Sequence, residues 1–200
     1  MSTPGSARKF DFALMSLPMR SDFCVLGFIQ DFADDFKLMR GHAVSFEWPS
    51  GVAFHMDPDF KKRIKLSDAL LNANDFLIAS VALRNLLEAE GVPDVEFLPV
   101  TVFNHKKKAE PHPYWIVNPV GLQDCVDLAA SDLVMNNINP DYISVVKHLV
   151  IDETKVSPTA ALFRARRLGT LLFVRRDLAQ KIQAQSLTGL QFKEIDDYKS

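Results

Sequence analysis

Residues 75–100 (DFLIASVALRNLLEAEGVPDVEFLPV) and residues 170–195 (TLLFVRRDLAQKIQAQSLTGLQFKEI) share one pattern without a gap, 95 positions apart. Leu77 aligns with Leu172, Leu83 with Leu178, Ala89 with Ala184 and Phe97 with Phe192. Further positions match in chemical class: Phe76/Leu171, Ile78/Phe173, Leu87/Ile182, Val92/Leu187, Val95/Leu190 and Val100/Ile195. Each stretch reads as a short buried apolar run, a helix with leucines one turn apart, a turn, and a second β-rich run. Such a chain is expected to contain two similar strand–helix–strand units.

At 200 residues, with 48% apolar and 24% charged, the chain suits a folded globular protein. The reading is a loose segment 1–9 followed by a single domain over 10–197. Its halves, 10–103 and 114–197, are joined by the charged, proline-bearing stretch NHKKKAEPHP at 104–113. A net charge of −2 argues against nucleic-acid binding through a globally basic surface. Cys24 and Cys125 make no disulfide framework. No run approaches 18 apolar residues and no apolar leader precedes Asp11, so membrane partners are not expected and the cytoplasm is the expected compartment.

Between and around the two units the pattern predicts further elements. Phe10, Phe12 and Leu14 alternate as an opening strand. Phe28, Phe32 and Phe36 recur every four residues up to Gly41, predicting an amphipathic helix with Asp31, Asp34 and Asp35 outward. Val44–Trp48 and Val52–Phe54 predict a hairpin, and Leu66–Leu71 a short helix capped by Ser67. In the first unit Ser80 is the expected helix cap, with Leu83, Leu86 and Leu87 on the core face and Gly91 as the stop. In the second half strands are predicted at 114–117, 122–128, 145–151 and 171–174. Alternation at Ala161, Phe163 and Ala165 makes another, and a helix at 177–185 and a strand at 190–195 follow. Strands outnumber helices and several turns are too short for parallel crossovers, so the fold class is α+β with a mixed, mainly antiparallel sheet.

Little in the chain spells catalysis. His42, His55, His105, His112 and His148 show no metal-ligand spacing, and no CxxC, GxSxG, P-loop or GxGxxG occurs. No metal, no cofactor and no catalytic residue is therefore expected. The one imaginable reacting group is Cys125 with Asp127 and His148, in a small hydrolase or transferase. A cysteine on an apolar strand is more often a buried hydrophobe. Two charged clusters are candidates for binding. Arg164, Arg166, Arg167, Arg175 and Arg176 flank the Gly169 turn and would gather if a hairpin forms there. Asp31, Asp34 and Asp35 offer the opposite sign.

The order NDFLIAS, LRNLLEAEGVPDVEFLPV, PYWIVNPVGLQDCVDLAAS, KHLVIDETKV, ALFRARRLGTLLFV and LTGLQF resembles immunity protein family eleven, which guards bacteria against polymorphic toxins. The resemblance covers about 75–195, and 10–70 match in outline. Pro99, Asn118, Asp124, Asp127, Asp152, Arg164 and Gly189 stand where the pattern has polar or turn-forming residues. The resemblance implies a small cytoplasmic protein, not an enzyme, that binds one cognate toxin domain and occludes its active site. It brings no catalytic residues, and it leaves the toxin and the oligomeric state open. The arginine cluster is then the expected toxin-binding surface, with the aspartates as the alternative.

Overall fold

The structure is a computed structural model that describes residues 10–20 and 22–200; the expected loose segment 1–9 lies outside them. In chain order the elements are β1 (Phe12–Ser16), β2 (Val25–Leu26), α1 (Phe36–Met39), β3 (Ala53–His55), β4 (Ala69–Asn72), β5 (Leu77–Ser80), α2 (Val81–Ala89) and β6 (Val95–Phe103). Then follow β7 (Tyr114–Pro119), β8 (Leu122–Gln123), β9 (Asp132–Met135), β10 (Ile143–His148), β11 (Leu162–Ala165), β12 (Leu168–Arg175), α3 (Arg176–Ala184) and β13 (Gln191–Lys193). One sheet has the order β2-β4-β5-β7-β6-β3, another β13-β1-β12-β11-β8, and β9 and β10 pair as a hairpin. The pairings are antiparallel except at the edges, where β2 joins β4, β3 joins β6 and β8 joins β11 in parallel. This is the α+β fold with mixed, mainly antiparallel sheets.

The two related stretches fold as strand–helix–strand. The helices occupy equivalent positions, 81–89 and 176–184, and the residues that end them do too. Gly91 (φ 60°) corresponds to Ser186 (φ 54°), and Asp94 (φ 54°) to Gly189 (φ 85°), all left-handed. In each unit the two strands flank a third, antiparallel one: β7 lies between β5 and β6, and β1 between β12 and β13. The helix in the first unit starts where Ser80 Oγ accepts from the Leu83 amide, at 3.4 Å. In the second, Asp177 sits in the first turn, where a carboxylate suits the helix dipole. Leu83 and Leu87 of α2 share one core with Leu178 and Ile182 of α3, together with Met15, Leu77, Val117 and Leu172. Each leucine buried there adds about 1.5–3 kcal/mol over exposure. Lys181 also forms an ion pair with Glu90 across the two units.

The sheets do not follow a division at 104–113. Strand β1 belongs with the C-terminal strands and β7 with the N-terminal ones. The stretch 104–113 connects β6 to its antiparallel neighbour β7, with Asn104 accepting amide hydrogen bonds from Lys106 and Lys108.

Several local expectations fail. The Phe28–Phe36 helix is absent: α1 spans Phe36–Met39, Asp31 takes φ 61°, and Phe28 and Phe36 are exposed. Asn74 holds this segment instead, accepting from the Ile29 amide at 2.8 Å and donating to Asp35 at 2.8 Å. The expected 44–54 hairpin is a 3-10 turn at Ser45–Glu47 followed by β3, whose partner is β6. The expected helix at 66–71 is strand β4, and Ser67 Oγ donates to the Ala69 carbonyl rather than capping. Of the expected strand 122–128, Leu122–Gln123 is strand, and Val126 makes a single bridge to Ile151.

Candidate functional site: a basic, aromatic-walled cleft

A cleft of about 710 Å³ opens where α1, the β9–β10 connection and the start of β12 meet. Its floor is the turn from β11 to β12, with Arg166, Arg167, Leu168 and Gly169. Close backbone contact sets one wall. A Cβ on Gly169 would stand 2.2 Å from the Met39 carbonyl oxygen, so α1 rests directly on the strand there. The Gly121 amide donates to the Gly41 carbonyl at 2.7 Å and anchors the end of the same wall. The opposite wall is the NNINPDY stretch. There Asn136 Oδ1 accepts from the Ile138 and Asn139 amides, and the Ile143 amide donates to the Arg167 carbonyl at 3.2 Å.

Three arginines line this space. The Arg40 guanidinium lies 5.1 Å from the Phe36 ring centroid and 6.0 Å from that of Tyr142, one aromatic from each wall. It has no carboxylate partner among the described residues. Arg166 meets Asp124 at 3.6 Å, with both side chains more than half exposed, a pair worth about 0–1 kcal/mol in water. Arg167 is more enclosed, donating to the Pro140 carbonyl at 3.3 Å and facing Asp141 at 3.6 Å. Against these three cations the lining sets one carboxylate, Asp141, in a chain whose net charge is −2.

The expected five-arginine cluster does not form. A hairpin puts its turn and its open end apart: β12 has eight residues, so roughly 25 Å separate its ends at about 3.3 Å per residue. Arg166 and Arg167 lie at the turn, and Arg175 and Arg176 at the far end. Arg175 is engaged by Asp177 through two hydrogen bonds of 2.7 and 3.0 Å. Arg176 holds both carboxylate oxygens of Glu194 and donates to the Phe10 carbonyl at 2.6 Å. These pairs also answer the helix dipole that disfavours cations at the start of α3. Arg164 is not on the surface at all. It is 1% exposed and donates to the Gly169 carbonyl at 2.5 Å. Burial pulls its guanidinium down to about 10, and the charge of Asp75 offsets part of that. It remains a cation at neutral pH and holds the floor of the cleft from behind.

The aspartates are likewise dispersed. Asp34 meets Lys37 at 2.9 Å, Asp35 is spent on Asn74, and Asp31 is exposed in its left-handed turn. Cys125 is wholly buried among Val126, Val146, Leu149 and Phe163, and burial pushes its thiol up to about 11, away from the thiolate a nucleophile needs. The Asp127 carboxylate accepts from the Ala129 and Ala130 amides at 3.0 Å each, which is a turn rather than a base. Among the described residues no group of three or more His, Cys, Asp or Glu is placed to hold a metal ion. No helix among them is long and apolar enough to cross a membrane.

Sequence reasoning found Arg166 and Arg167 but missed Arg40, Phe36 and Tyr142. The only local signal was an arginine closing a turn before Gly41, and nothing in the sequence joins it to a tyrosine a hundred residues on.

What the fold presents here is an aromatic and cationic cleft, held by backbone contacts. The Immunity protein family (Imm11) matches the chain over residues 17–197, and the chain belongs to that family, whose function is immunity. No curated protein matches it.

Proposed function

We propose that this immunity protein neutralises a cognate toxin by binding it through the Arg40 cleft and so covering the toxin's active site. Arg40 and Arg166 meet carboxylates of the toxin, and Phe36 and Tyr142 supply apolar anchors beside them. Arginine and tyrosine are favoured anchors at such interfaces, and a guanidinium can take a carboxylate with two hydrogen bonds. One observation carries the reading: Arg40 stands between two aromatic rings in an open cleft, with no carboxylate among the described residues to satisfy it. Protection follows from occupancy rather than turnover, in the compartment where toxin and protein meet.

The test is a growth assay with the cognate toxin domain. Arg40→Glu with Arg166→Glu loses protection, while Cys125→Ser keeps it. Retained protection in the arginine pair would overturn the choice of surface. Loss in a stably folded Cys125→Ser variant would overturn the binding-only mechanism.

A further inference from the structure

A second hollow, of about 240 Å³, is lined by residues of both larger sheets. From one sheet come Met15 and Ser16 of β1 with Thr170 and Leu172 of β12, and Met15 is paired opposite Leu172. Asp75 and Leu77 reach it from the other sheet, Asp75 in the β4–β5 turn with φ 56°. Tyr198, just after the 3-10 turn Ile195–Asp197, completes the polar lining. The space is smaller than the ~300–1,000 Å³ of pockets that take drug-sized molecules, so it suits a small one.

The polar groups around this space are left unanswered by the chain. Ser16 Oγ is buried without a hydrogen-bond partner among the described residues. Among those residues the Asp75 carboxylate makes no hydrogen bond and no ion pair, and the Thr170 and Tyr198 hydroxyls make no hydrogen bond. Partial burial raises the Asp75 carboxyl above its ordinary 3.8, although the charge of Arg164 pulls it down. A carboxylate short of donors behaves in this way. Arg164 does not set the sign of the hollow. It is 1% exposed, is not part of the lining, and gives Nη1 to the Gly169 carbonyl. The one charge a ligand would meet there is that of Asp75.

We propose that this hollow binds a small aliphatic amine. Its ammonium meets the Asp75 carboxylate, with the Ser16, Thr170 and Tyr198 oxygens as further acceptors, and its carbon stem lies against Met15, Leu77 and Leu172. An ammonium has three donors and no acceptor, the complement of a carboxylate beside hydroxyl oxygens. A neutral alcohol would leave the carboxylate charge unanswered, and a carboxylic acid would set like charge against it. A metal ion would find a single carboxylate and leave the apolar wall in water. Thr170 also borders the Arg40 cleft, and amine binding is therefore measured on the chain alone, apart from any toxin.

The probe is pentan-1-amine, titrated into the full chain and followed by amide NMR shifts. Saturable binding in the millimolar range is expected, with shifts centred on residues 15–17, 75–77, 170–172 and 198. Asp75→Asn should weaken it at least tenfold. Asparagine keeps the shape of the side chain and tolerates a left-handed backbone, so the unfolding midpoint should hold. Tyr198→Phe should weaken binding by less, and Asp34→Asn should leave it unchanged. Pentan-1-ol and pentanoate should bind at least tenfold more weakly than the amine. No saturable shift at these residues, or equal binding in Asp75→Asn, overturns the proposal. So does pentanoate binding as tightly as the amine, since that would make Arg164 the recognising charge.

Discussion

Asp68 ties together parts of the chain 120 residues apart. Its carboxylate accepts from the Thr188 amide at 2.8 Å, the Thr188 hydroxyl at 2.7 Å and the Ser80 hydroxyl at 2.8 Å. Burial pushes the carboxyl up, but these hydrogen bonds together outweigh it and hold the group below its ordinary value of 3.8. A carboxyl whose folded value is depressed adds stability above the unfolded value and loses it as pH falls through the folded one. The native chain should therefore lose thermal stability as pH drops from 5 through 3.8 and below. Asp68→Asn should be less stable at pH 7 and should lose less over that range. Thermal midpoints at pH 7, 5 and 3 check this, and parallel curves for the two proteins would contradict it. Arg164 teaches a different lesson at this scale. An arginine on an alternating strand reads as a surface residue, yet this one is buried, because both faces of its strand are covered: Phe163 and Ala165 pack in one core cluster and Leu162 in another.

At the scale of elements, the strand–helix–strand order of residues 77–103 and 168–193 was legible because local and tertiary preferences agree there. Ser80 caps, Leu83 and Leu87 share a face, and a left-handed residue stops the helix at 91 and again at 186. Leu83→Ala and Leu178→Ala, at equivalent positions in one shared core, should each cost about 2–5 kcal/mol in urea unfolding. A cost under about 0.5 kcal/mol for either, the level of a surface change, would deny the two helices their common core. The segment 28–48 was misread for the opposite reason. A four-residue phenylalanine spacing imitates a helix, but Asn74 takes the Ile29 amide and the Asp35 carboxylate, a contact that no local pattern announces. Gly169 belongs to this scale too. Alanine in a strand is ordinarily better than glycine by about 0.5–1 kcal/mol, yet a Cβ here meets a backbone oxygen of α1 at 2.2 Å. Overpacking typically costs about 1–3 kcal/mol, so the steric term wins. Gly169→Ala should lower the unfolding free energy and weaken toxin binding together, because it displaces a wall of the cleft; a stabilised variant with full binding would contradict the close contact as the cause.

For the whole molecule, the candidate site was half visible in the sequence. Arg166 and Arg167 could be read as neighbours, but a cleft made by α1, the 136–142 stretch and the β11–β12 turn needs three distant parts of the chain to meet. The same topology scattered the other arginines, sending Arg175 and Arg176 to the far end of β12 and Arg164 inside. Charge is distributed unevenly, with basic surfaces set on a chain that is acidic in sum, which favours steered encounter with acidic partners at low salt. The most direct measurement is a calorimetric titration of the purified chain into the toxin domain, with toxin activity followed in the same samples. The account predicts that activity disappears as the complex saturates. It also predicts that Arg40→Glu with Arg166→Glu weakens binding at least tenfold, about 1.4 kcal/mol, while Asp34→Lys with Asp35→Lys leaves it intact. Binding that loses strength only in the aspartate pair, or saturates without loss of toxin activity, would contradict it.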